Sequence, residues 1–134
     1  MPPCCAIPGN AAILAHLGRA RPSAHSDLVD ELDRAIEGLV GVQTWCPDPR
    51  SFAFVLAYAE SGAIFAVAVG MAEILVRAPA SDEPGIRAAD PGLEGWSRVE
   101  LFRGGEALDA QRARLRERVR AAWISTRPAR SQAE

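Results

Sequence analysis

The sequence predicts an α+β domain centred on an antiparallel β-meander, with helices flanking the sheet. Three features carry that expectation. Two apolar runs sort large and small side chains by parity, a polar turn bearing a glycine joins them, and segments of helical periodicity lie on either side. Strict alternation marks a strand, because successive side chains leave opposite faces of the pleat.

Residues 1–25 read as an extension, with a weakly signalled short helix over 10–17 closed by Gly18. Ser26 or Asp27 caps a helix over about 27–40, whose stripe is Leu28, Leu32, Ala35, Ile36 and Leu39 and whose end is marked by Gly41. The first strand covers 52–58, with Phe52, Phe54, Leu56 and Tyr58 large and Ala53, Val55, Ala57 and Ala59 mostly small. The second covers 63–70, with Phe65, Val67 and Val69 large, as Met71 is just beyond, and Ala66, Ala68 and Gly70 small. A two-residue turn at Ser61-Gly62 pairs Tyr58 with Phe65 and Leu56 with Val67, so every large residue lands on one face. A third strand runs over 73–77 with Ile74 and Val76 inward, and Pro79 stops it. Ala78 to Gly95, rich in proline, glycine and acids, reads as a loop. A fourth strand covers 96–102, where Val99 and Leu101 alternate with Arg98 and Glu100. The last helix covers 106–125 on a stripe of Leu108, Leu115, Val119, Ala122 and Trp123. Residues 26–127 thus form one domain and 128–134 a polar tail.

A chain of 134 residues with 49% hydrophobic and 24% charged residues is one globular domain's worth. Its net charge of −2 offers no global attraction to nucleic acid or anionic lipid. All 15 basic residues are arginine, which with the abundant alanine, glycine and proline points to GC-rich, bacterial coding. Arginine is therefore the default cation here and no signal of phosphate binding by itself. Three cysteines without a disulfide framework, and an N-terminus without the pattern of a secretory signal, set the expectation of a reduced, cytoplasmic protein. The apolar stretch from Phe52 to Val76 is long enough to cross a bilayer. A gain of roughly 5 kcal/mol from its large apolar residues is matched by the cost of Glu60 and Glu73. Parity decides between the readings, because a lipid-facing helix has no reason to sort residues by twos.

No catalytic, metal or cofactor set emerges. Cys4, Cys5 and His16 lack the fourth ligand and the spacing of a structural zinc site. Cys46, in the Trp45–Arg50 link, has no base near it in sequence. Glu60 and Glu73 read as solvated charges at a turn and a strand start. Arginines 112, 114, 116, 118 and 120 flank both margins of the last helix's stripe, a usual layout for a helix lying on a core. Residues 23–75 nevertheless hold eight acids and two arginines, a charge of −6, whereas 106–134 hold seven arginines and four acids, +3. Arg112, Arg116 and Arg120 are the candidate anion contacts. The slim face of the hairpin, Ala53, Ala57, Ala66, Ala68 and Gly70, is either covered closely by a helix or offered to a second copy or a partner.

The order of elements resembles the small bacterial MmcQ/YjbR-like and TfoX N-terminal domains. The stretches that carry the likeness are FAFVLAYAESGAIFAVAVGMAEILVRAP (Phe52–Pro79), GWSRVELF (Gly95–Phe102) and the helix after them. The resemblance implies a non-enzymatic binding module. The basic residues that such domains often carry on the sheet are missing here, and the loop before Trp96 is acidic.

The sequence reading is therefore a cytoplasmic accessory module, without a cofactor, that binds a protein partner or forms a homodimer. Two alternatives stand beside it: a nucleic-acid-associated regulator using the arginine-rich last helix, and a small-molecule binder with its site under the 78–95 loop.

Overall fold

The computed structural model describes residues 7, 9–20, 23–47 and 53–126. Its centre is an all-antiparallel sheet of six strands: β1 (Gln43–Trp45), β2 (Val55–Tyr58), β3 (Ile64–Val69), β4 (Glu73–Val76), β5 (Ile86–Ala88) and β6 (Ser97–Glu100). The spatial order is β1-β2-β3-β4-β6-β5, so β5 lies outside its successor at one edge and β1 closes the other. Three helices accompany it: α1 (Asn10–Ala20), α2 (Ser26–Ala35) and α3 (Leu108–Ser125). The α+β class and the meander are as the alternation requires. Two of the strands were not foreseen: β1 precedes the first apolar run, and β5 forms inside the stretch read as a loop. Each is only three residues long, too short for periodicity to register.

Parity places Ile74, Val76, Val99 and Leu101 on one face, with α2 and α3 packed over them. The slim residues Ala57, Ala66 and Ala68 lie on that same face, fully buried. The bulky residues Leu56, Tyr58 and Val67 point the other way, where Ile13 and Leu17 of α1 cover them. The sheet thus has two cores rather than one bulky side turned inward.

The hairpin corrects the expected turn. Gly62 N–H donates to the Ala59 carbonyl at 2.8 Å and Ala59 N–H to the Ala63 carbonyl at 2.9 Å, so the loop is three residues, with Gly62 at φ +92°. That conformation suits glycine, which has no Cβ to clash. A loop of that length alone would set the two bulky sets on opposite faces. A β-bulge beside Tyr58 restores the parity: Tyr58 pairs with Ile64, while Leu56 still pairs with Val67. Phe65 is the extra residue, and it turns away from Tyr58 into the core beneath α2 and α3.

Helix ends differ from expectation for local reasons. His25 caps α2, its Nδ1 accepting from Asp27 N–H at 3.1 Å. The helix stops at Ala35 because Gly38 adopts a φ of +84° and turns the chain one helical turn before Gly41. α1 lies within the stretch read as an extension, yet it belongs to the core. Buried Asn10 donates from Nδ2 to the Gly62 carbonyl and accepts at Oδ1 from Ile64 N–H, both at 2.9 Å, which ties the helix start to the hairpin turn.

Candidate functional site

The candidate surface of Ala53, Ala57, Ala66, Ala68 and Gly70 is not free. Ala57, Ala66 and Ala68 are sealed under the chain's own helices, and Ala53 and Gly70 are half-buried. Small side chains let α2 and α3 approach the strands closely, which is why the first of the two expected alternatives holds.

The candidate anion contacts are largely engaged within the chain. Arg112 donates from Nε and Nη2 to both oxygens of Glu31, at 2.9 to 3.2 Å. Arg116 donates to the Arg34 carbonyl at 3.1 Å, and Arg120 stands exposed. Arg114 is held by Glu106, and Arg118 donates to the Pro79 carbonyl. The sequence does not reveal Glu31 as a partner, because its position on the inward side of α2 reads as an ordinary polar interruption. Burial alone would raise its carboxyl, but hydrogen bonds from Arg112 and Arg34 outweigh that and hold it below the usual range. Hydrogen bonding from Arg114 likewise holds Glu106 below the usual range. A groove of about 410 Å³ runs between α2 and α3 past Glu31, Arg34, Arg112 and Arg116. Glu31 and Asp109 offset most of its positive charge.

Under the 78–95 segment a shallower hollow of about 310 Å³ is bounded by Pro79, Ala88, Asp90, Leu93 and Trp96. Asp90 accepts from Arg98 and lies 3.7 Å from His16 Nε2. From there an ion-paired chain crosses the uncovered part of the α1 face: Arg98 to Glu73, Glu73 to Arg87, and Arg87 to Glu100. Glu73 is therefore the junction of two arginines rather than a solvated strand-start charge. Glu60 is exposed in its turn, as expected. Cys46 is half-buried, and Cys4 and Cys5 lie outside the described residues. Among the described residues no cluster of three metal-ligating side chains occurs, and no helix is long and apolar enough to cross a membrane.

The arrangement least explained by folding lies at one end of the molecule. α2 and α3 run parallel, since Glu31 meets Arg112 and the Arg34 carbonyl meets Arg116. The start of α2 and the end of β6 lie beside the β3–β4 turn: His25 N–H donates to the Gly70 carbonyl and Leu101 N–H to the Ala72 carbonyl, each at 2.8 Å. At this end Met71 is 68% exposed, Phe102 43% and Leu108 36%. Phe102 has a φ of +58°, the one left-handed residue other than glycine among the described residues. Its loop is held by Gln111, which accepts from Arg103 N–H and donates to the carbonyls of Arg103 and Glu106. The expected helical stripe named Leu108 as core. It instead opens outward at the helix start, and Gln111 occupies the buried place one turn on.

Comparison of the chain with family models, with curated proteins and with solved structures gives no match. What fold and site define together is an α+β domain whose helices cover one sheet face and part of the other, with exposed apolar side chains at one end.

Proposed function

We propose that this domain is a protein-binding accessory module whose contact surface is the end carrying Met71, Phe102 and Leu108. One observation carries the reading: Phe102 keeps its ring partly in solvent while its backbone occupies the left-handed region. A bulky residue there costs on the order of 1 kcal/mol, and such strain persists where it serves a contact. Met71 and Leu108 add exposed apolar surface in the β3–β4 turn and at the start of α3. The sheet edges support the reading indirectly. Strands β1 and β5 are three residues each, and edges that short discourage strand addition by a second copy. The resemblance to small bacterial binding domains points the same way.

Nucleic-acid binding through α3 has less support, because Arg112 and Arg114 are neutralised by Glu31 and Glu106. A photo-crosslinking amino acid placed at position 102, compared with one at exposed Glu117 on α3, tests the two readings together. A discrete protein adduct at 102 and none at 117 is expected. Adducts with nucleic acid, or equal yields at both positions, would overturn the proposal.

A further inference from the structure

We infer that the partner segment docking at the Met71–Phe102–Leu108 end is cationic as well as apolar, an inference that rests on the contact surface proposed above. The charge around that end is the reason. Asp27 and Asp109, the acids of the first turns of α2 and α3, flank the patch with side chains 74% and 99% exposed. On the outward side of α2, Asp27, Asp30 and Asp33 recur every third residue, and all three are exposed. Partial desolvation, and then repulsion from Asp30, push the Asp33 carboxyl above its usual range. Arg103, next to Phe102, is already shared between Glu100 and Glu106. The exposed arginines stand away from the patch, Arg34 in the last turn of α2, Arg116 beside it at the middle of α3 and Arg120 one turn further on. An incoming segment therefore meets apolar side chains bordered by exposed carboxylates, Asp27 lying 3.8 Å from His25 Nδ1 and Asp109 4.0 Å from Arg112 Nη1. Lysine or arginine beside a leucine or phenylalanine satisfies both, whereas an acidic or purely apolar segment satisfies at most one.

The test uses the full chain, isotope-labelled, in about 150 mM salt so that diffuse attraction is screened. Two designed helical peptides of equal length serve as probes, one of leucine and lysine and the other of leucine and glutamate. The leucine–lysine peptide is expected to shift the amides of Gly70 to Ala72, Phe102, Arg103 and Leu108, and the leucine–glutamate peptide to leave them in place. Phe102→Asn, a residue that tolerates the left-handed backbone, is expected to weaken binding about tenfold with the melting temperature little changed. Asp27→Asn combined with Asp109→Asn is expected to weaken it severalfold. Shifts confined to Arg34, Arg116 and Arg120, or no shift at all, would overturn the inference. If the glutamate peptide takes the same amides equally well, the cationic preference fails while the contact surface stands. Light scattering supplies the remaining arm: a mass that doubles with concentration, with those amides perturbed and no peptide present, makes a second copy the occupant and refutes a cationic partner.

Discussion

Gln111 is fully buried on a helix whose other inward residues are Leu115, Val119 and Ala122. It spends its amide on three backbone groups of the β6–α3 connection, at 2.9 to 3.1 Å. A buried amide is tolerated only when satisfied, and these bonds satisfy it while fixing the loop that displays Phe102. Gln111→Ala is expected to destabilise the domain by roughly 2 kcal/mol, since it strands backbone donors and acceptors. Chemical denaturation measures that loss. Phe102→Asn, by contrast, is expected to change stability by less than about 1 kcal/mol, because release of backbone strain offsets the ring's lost contacts. A large loss there would make Phe102 a core residue and remove the main support for the proposed contact surface.

At the scale of elements, the packing of α2 and α3 on the alanine face decides how much space the domain has. Ala57, Ala66 and Ala68 show no exposure, and two helices sit over them. Ala66→Leu adds volume to a filled interface and is expected to cost roughly 2–3 kcal/mol, read as a lower melting temperature. Were that face a docking site instead, the substitution would leave stability alone and alter association. The parity of residues 53–69 was legible because both sheet faces are lined consistently. The bulge was not, since Ile64 and Phe65 are both large and either can oppose Tyr58. Likewise β1 and β5 carry no readable period in three residues each. α1 reads as a weak helix, and only its buried contacts with the sheet make it part of the core.

Considered as a whole, the molecule joins distant segments through charge as well as through its cores. Glu31 and Arg112 are 81 positions apart, and their bidentate pair, with Arg34 as a third member, clamps α2 to α3. Because the folded carboxyl of Glu31 lies below its ordinary 4.5, its stabilisation is complete above that value and is lost as pH falls through the folded pKa. Glu106 acts in the same direction, whereas Asp33, raised by folding, regains a little stability on protonation. The denaturation midpoint is therefore expected to hold between about pH 7 and 5 and to fall in more acid solution. Glu31→Gln should lower the midpoint at neutral pH and make the acid limb shallower, leaving the part due to Glu106. An unchanged acid limb would assign the effect elsewhere.

By itself the sequence determined the class of fold, the positions of the central strands and the last two helices, and the shared face of Leu56 and Val67. These follow from periodicity, which is a local property of the chain. Tertiary structure alone decided that the slim face is closed by α2 and α3, that Phe65 turns to their side, and that Glu31 holds Arg112. It also decided that Met71, Phe102 and Leu108 share one end of the molecule. Each of these depends on which distant residues meet, and no repeat along a single strand or helix encodes that meeting.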